Sequence, residues 1–286
     1  MNINKHKKLF RVVFCANQVS LCIAVELAKR DQHRLDTVIF CMPERCDLLA
    51  YQDCGVKLIP YTRLNFVKFL IITLLDRPDE VCVPHMRIGR LINKYAKYAK
   101  ALSAIDDGMD TFREKPKNIS PEFFPSAASY YTFTYDFSLS TWLSRFSIQK
   151  ICDIRNLAIS SRPQALLLNI TEIVIESPGI DDTHVQLSSE VSSVLLVKHS
   201  NRYKHSINIA GMVQVNGAEI GLEKTIDSFA GSMIVGESMV MVYALLCGRS
   251  DLKINVILTQ NVFDNLRCLQ SQLCRPSRNG LSLSII

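Results

Sequence analysis

Short β-rich apolar runs alternate along this chain with stretches whose apolar residues recur at helical spacing. Leu9–Cys15 reads as a strand and Val19–Lys29 as a helix. Thr37–Cys41 follows as a strand, with a helical turn through Leu48–Tyr51. Val56–Pro60 is a strand leading to a helix around Leu64–Leu75. Glu80–Val83 is a fourth strand and Ile88–Lys100 a helix, and Leu102–Ile105 then runs into a double aspartate. Strand and helix in alternation predict a parallel sheet covered on both faces.

Residues 109–138 interrupt the rhythm, with three prolines, many rings (Phe123, Phe124, Tyr130, Tyr131, Phe133, Tyr135, Phe137) and no period. They read as a long loop packed by its own rings. A helix through Leu139–Ile151 would bridge to the second half, and Leu157–Arg162 ahead of Pro163 resembles a linker. The alternation then restarts: strands at Glu172–Glu176, Val194–Lys198, Ile207–Ile209, Met233–Val235 and Ile254–Leu258, and helices at Glu219–Ser228, Ser238–Leu246 and near Val262–Leu269. The expected organisation is two α/β halves, residues 1–158 and 159–286.

Composition narrows the class. With 48% hydrophobic and 21% charged residues the 286-residue chain is a folded globular protein. A formal charge of +6 suits an anionic partner such as a nucleotide, a glycan bearing acid groups or a lipid surface, and equally a plain solubility charge. The basic residues are scattered without an aromatic-interleaved stripe, which argues against nucleic acid. Ten cysteines include no CxxC pair. Cys15, Cys82, Cys152 and Cys247 sit in apolar runs as small buried hydrophobes, which fits a reducing compartment. The basic start before Leu9 mimics a signal peptide, but Asn17-Gln18 breaks its apolar run, so a first strand is the better reading. The run Phe66–Leu75 is about half of what a membrane span needs. A cytoplasmic protein, with possible peripheral contact with the inner membrane, is expected.

Three polar clusters interrupt apolar stretches: Asp106-Asp107-Gly108, Lys198-His199-Ser200 and Gly236-Glu237-Ser238. In open parallel sheets ligands bind at the carboxyl ends of strands, where Asp106-Asp107-Gly108 falls. Adjacent carboxylates on an extended backbone point apart, so one can take a proton from an attacking hydroxyl while the other anchors the turn. The alternative is a solvated turn, since this string is common in turns. His199 at a strand tip could protonate or hydrogen-bond a leaving phosphate oxygen, with Lys198 and Arg202 adding charge and His205 as a rival; a basic surface loop is the plainer account. Gly236-Glu237-Ser238 has the form of strand, tight turn and helix start, where free N–H groups and a hydroxyl hold phosphate, and Ser238 also suits an N-cap. Glu219 or Glu223 could hydrogen-bond a cytosine amino group or a ribose, or favour a helix dipole. Arg87 or Arg90 could hold an acceptor carboxylate, or be ordinary solvated helix residues. No Walker loop, GxGxxG, Asp-X-Asp or metal-spaced ligand set is present, so no metal and no cofactor is expected.

The order of these clusters resembles the bacterial two-domain sialyltransferases of GT-B type, especially the polysialyltransferase-like and lipooligosaccharide sialyltransferase families. Asp106-Asp107-Gly108 matches their acidic motif. Lys198-His199-Ser200 matches their His-Pro motif with Ser200 in place of the proline. Gly236-Glu237-Ser238 matches their serine-rich phosphate motif with Met239 where a second hydroxyl is usual, and Glu219 looks like their base-recognising glutamate. The resemblance implies an α/β fold of two Rossmann-like domains whose parallel sheets face a central cleft. The N-terminal domain would take the acceptor and the C-terminal domain the nucleotide sugar. It also implies a metal-independent, inverting transfer of sialic acid from CMP-sialic acid to a hydroxyl of a capsule or lipooligosaccharide glycan. Asp106 or Asp107 would be the base, His199 would assist the departing CMP, and Lys198, Glu219, Gly236 and Ser238 would bind the donor. A GT-B transferase using another nucleotide sugar, or a non-catalytic glycan- or nucleotide-binding protein of the same fold, are the competing readings.

Overall fold

The structure, a computed structural model, describes residues 9–43, 45–73, 76–84, 89–114, 123–134, 139–156, 169–177, 180–198, 207–216, 226–274 and 280–286, without the side chains of 72, 110 and 216. The chain divides into two units. The first comprises residues 1–107, 117–134 and 143–158, and the second residues 108–116, 135–142 and 159–286.

The first unit is built on a seven-stranded sheet. Its strands are β1 (Leu9–Cys15), β2 (Leu35–Cys41), β3 (Lys57–Pro60), β4 (Glu80–Pro84), β5 (Ala101–Ile105), β6 (Ser129–Thr134) and β7 (Ser147–Asp153). They lie in the order β3-β2-β1-β4-β5-β6-β7, all parallel. Helices α1 (Gln18–Asp31), α2 (Arg63–Ile72) and α3 (Arg90–Tyr98) make the crossovers. The β1-to-β2 step runs one way along the sheet, and the β3-to-β4 and β4-to-β5 steps run the other. Right-handed crossovers therefore put α1 on one face and α2 with α3 on the opposite face. A ring cluster fills the space under α2 and α3: Phe14 stacks on Phe40 at 5.4 Å, Phe40 meets Phe69 at 5.1 Å, and Phe66 meets Tyr95 of α3 at 5.5 Å. Such ring pairs add to area burial.

Two expectations fail in this unit. Residues 129–134 are a strand rather than part of a loop, and Tyr130 and Phe133 are fully buried in it. A strand covered on both faces has no polar–apolar alternation, so Ser129–Thr134 carries no period. The expected helix over Leu139–Ile151 is instead a 3₁₀ turn at Thr141–Arg145 followed by β7. Pairing with β6 decides that segment against its local pattern.

The second unit is built on a six-stranded parallel sheet, in the order β10-β9-β8-β11-β12-β13. The strands are β8 (Glu172–Ile175), β9 (Val194–Lys198), β10 (Val213–Asn216), β11 (Ser232–Val235), β12 (Lys253–Leu258) and β13 (Leu281–Ile285). Helix α4 (Met239–Cys247) links β11 to β12, and helices Gln260–Asn265 and Arg267–Cys274 precede β13. The expected strand at Ile207–Ile209 is irregular chain that joins no sheet. Ile207 is buried in the core beside Val174, Leu196 and Ile234, and the edge strand is Val213–Asn216. Of the expected helix Glu219–Ser228 only Ile226–Ser228 falls in the described residues, where it is helical. The helix expected near Val262–Leu269 breaks at Leu266.

All ten cysteines are free thiols. Cys15, Cys82 and Cys152 are buried as expected, and Cys247 is half-buried. Among the described residues no helix is long and apolar enough to cross a membrane.

Candidate functional site

In each sheet the strand order reverses once, between β1 and β4 in the first unit and between β8 and β11 in the second. The loops leaving the carboxyl ends of strands at such a reversal form the natural ligand crevice of an open parallel sheet.

In the first unit, Asp106 and Asp107 leave β5, next to β4, and are 0% and 5% exposed. Asp106 prolongs the ladder by donating its N–H to the Tyr131 carbonyl at 2.8 Å. Its Oδ2 accepts the Thr132 hydroxyl at 2.7 Å. Asp106 is thereby tied to β6 through backbone and side chain. The Asp107 carbonyl accepts a hydrogen bond from Asn17 Nδ2 at 2.5 Å. Asn17 is the N-cap of α1: its Oδ1 accepts the Ser20 N–H at 3.1 Å while Ser20 Oγ accepts the Asn17 N–H at 3.2 Å. One residue at the end of β1 thus opens a helix and clamps the acidic turn. Arg90, the first residue of α3, is exposed, and Arg87 lies outside the described residues.

In the second unit, Gly236-Glu237-Ser238 joins β11 to α4. Ser238 is extended at the N-cap, and its Oγ accepts the Val240 N–H at 3.2 Å. The first turn of α4 holds no acidic residue, so its N–H groups present a positive dipole end. Gly236 is required by packing: a Cβ there would stand 2.3 Å from Ile180 Cδ1 and 2.7 Å from Ser177 Cβ. Ser177 follows β8, so the two loops at the strand reversal touch through a missing side chain. Glu237 forms an ion pair with Arg113, both nearly buried.

Gly108, at φ +146°, turns the chain after the acidic pair as the sequence implied. Lys198 ends β9 and directs its ammonium to the Ile207 carbonyl, with the buried Glu176 carboxylate at 3.9 Å. Its charge is engaged inside the unit. His199 and Glu219 lie outside the described residues.

Sequence reasoning missed Asn17, Thr132, Arg113 and Glu176. Asn17 carried a usable signal, an Asn between an apolar strand and a helical period. Thr132 was hidden with its strand, and nothing local marks Arg113 or Glu176.

Among the described residues no three His, Cys, Asp or Glu side chains cluster to hold a metal ion. A groove of about 650 Å³ lies at the other, N-terminal end of β2 and β3, lined by Lys29, His33, Asp36 and Lys57, and includes none of the candidates.

No family model matches the sequence, and no curated protein does. Solved structures do. The glycosyltransferase of kitacinnamycin superposes with a TM-score of 0.50 at 11% identity, over 98% of this chain and 86% of that chain. A UDP-N-acetylglucosamine 2-epimerase gives 0.48 at 10% identity, over 94% and 88%. ADP-heptose lipopolysaccharide heptosyltransferase II of E. coli gives 0.46 at 10%, over 97% and 90%. The chain has the α/β fold of GT-B glycosyltransferases, with two Rossmann-like parallel sheets. None of these three is named as a sialyltransferase.

Proposed function

We propose that the chain is a glycosyltransferase, and more narrowly that it moves sialic acid from CMP-sialic acid to a glycan hydroxyl without a metal. The observation that carries the reading is the pair Asp106 and Asp107, buried at the carboxyl end of β5 in an all-parallel sheet. Two carboxylates are costly to keep out of water without a task or partners. Thr132 ties Asp106 to β6, and we assign the proton transfer to Asp107, 5% exposed at the turn that follows.

In this mechanism the Asp107 carboxylate takes the proton of the acceptor hydroxyl as that oxygen attacks the anomeric carbon of the donor. The bond from the anomeric carbon to the phosphate oxygen breaks, configuration inverts and CMP departs. Ser238 and the N–H groups opening α4 hold the phosphate, and Gly236 lets the turn that carries them pack against Ser177 and Ile180. His199 donates a proton or hydrogen bond to the leaving oxygen, and Glu219 recognises the base, both by the sequence resemblance. Lys198, already engaged with Ile207 and Glu176, contributes by holding the β9 end in place. Arg90, with Arg87, serves an acidic acceptor.

The test is calorimetric titration of the full chain with CMP, UMP and GMP in the absence of added metal. The reading expects selective CMP binding, and transfer from CMP-sialic acid that Asp107→Asn abolishes while CMP binding persists. Preference for UMP or GMP would retain a transferase with a different donor, and failure to bind any of the three would remove the transferase reading.

A further inference from the structure

We propose that the outer face of α2 and α3 is a docking surface for an anionic phospholipid bilayer. The two helices share one face of the first unit's sheet and pack side by side, Phe66 and Phe69 of α2 meeting Tyr95 of α3 at ring distances of 5.5 and 6.3 Å. Phe66 and Phe69 point inward and are buried. The opposite side of α2 is also apolar: Leu64 is 62% exposed, Val67 43% and Ile71 63%. At 100° per residue these three fall within roughly 60° of one another, a stripe facing solvent. On α3, Leu91 and Tyr98 are 45% and 53% exposed.

The charge carried by the two helices is of one sign. Helix α2 reads RLNFVKFLII and α3 reads RLINKYAKY, so the pair carries five basic residues (Arg63, Lys68, Arg90, Lys94 and Lys97) and no acidic one. All five are exposed. Arg63, Lys68, Arg90 and Lys94 make no ion pair among the described residues.

An apolar strip flanked by unneutralised cations matches the interface of an anionic bilayer, where apolar side chains enter the headgroup boundary and Lys and Arg meet lipid phosphates. A second copy of this chain fits less well. An isologous contact would set five cations against the same five, and like charges at an interface oppose association. None of the residues that bear on it belongs to the acidic turn or the phosphate turn; only Arg90 is shared with the proposed acceptor side, and the variants that test the surface leave it in place.

The experiment is co-sedimentation of the full chain with vesicles of phosphatidylcholine and phosphatidylglycerol in equal parts, and with phosphatidylcholine alone. Binding to the mixed vesicles is expected, at least tenfold weaker to the neutral ones and weakened again by 0.5 M salt. The Leu64→Ser/Ile71→Ser and Lys68→Glu/Lys94→Glu variants should each lose at least tenfold with unchanged circular dichroism and thermal midpoint. If the serine variant fails to fold, the charge variant decides alone. Absence of binding to the mixed vesicles, or binding that neither variant weakens, overturns the proposal. So does a dimer on gel filtration that the serine variant dissolves.

Discussion

Thr132 donates its hydroxyl to the Asp106 carboxylate at 2.7 Å, and both side chains are sealed from solvent. The bond crosses from β6 to the residue that ends the β5 ladder, so one hydroxyl fixes the acidic turn to the sheet. Thr132→Val keeps the shape and removes the donor, leaving a buried carboxylate oxygen short of a partner. Removing one side of such a pair costs about 1–3 kcal/mol, and more for a charged group. Urea unfolding should show a loss of that size, and equal stability of variant and parent would mean that Asp106 is not anchored through Thr132. Under the proposed mechanism turnover should fall while nucleotide affinity holds, because the donor turn lies in the other unit.

Ser238 has two roles to separate, capping α4 and holding phosphate. Ser238→Ala loses both, with a capping cost of about 1 kcal/mol. Ser238→Asp restores the cap, since a carboxylate accepts the Val240 N–H as the hydroxyl does, but places a negative charge where the phosphate would sit. The thermal midpoint should therefore recover in the aspartate variant while CMP affinity stays lost. An aspartate variant that binds CMP as well as the parent would place the phosphate elsewhere.

Most of the alternating framework is legible in the sequence. Leu9–Cys15 and Val194–Lys198 stand where their apolar runs put them, and α4 begins after Ser238 as a capped helix should. What escaped depends on partners distant along the chain. The strand Ser129–Thr134 is buried between β5 and β7 and has no alternation to read. Leu281–Ile285 is a strand because β12 offers it a parallel edge. The same holds at the candidate site. The acidic turn and the Gly236 turn are local strings, whereas Asn17 reaches Asp107 across 90 residues and Arg113 finds Glu237 far along the chain. Local sequence marks which residues can do chemistry, but not which neighbours orient them.

Arg11 is 3% exposed and sits at the other end of the first sheet from the acidic turn. Its Nε meets Glu80 at 2.6 Å and one terminal nitrogen meets Asp31 at 2.7 Å. Glu80 also accepts the Ser103 hydroxyl at 2.5 Å and the Tyr131 hydroxyl at 2.7 Å. Arg11→Met would leave Glu80 without its cation, a change worth about 3–5 kcal/mol for a buried pair. The pH dependence should change as well. Burial pulls the Asp31 carboxyl upward, but hydrogen bonds from Arg30 and Arg11 outweigh it and hold the group below its ordinary value. A carboxyl lowered in the folded state adds stability that is complete above its unfolded value of about 3.9 and is lost as pH falls through the lower folded value. Without Arg11 that lowering shrinks, so stability should decline less steeply at the acid end in the variant than in the parent. Urea midpoints for both proteins between pH 7 and pH 3 measure the difference. Parallel acid limbs would mean that Arg30 alone holds Asp31 down and that Arg11 serves only Glu80.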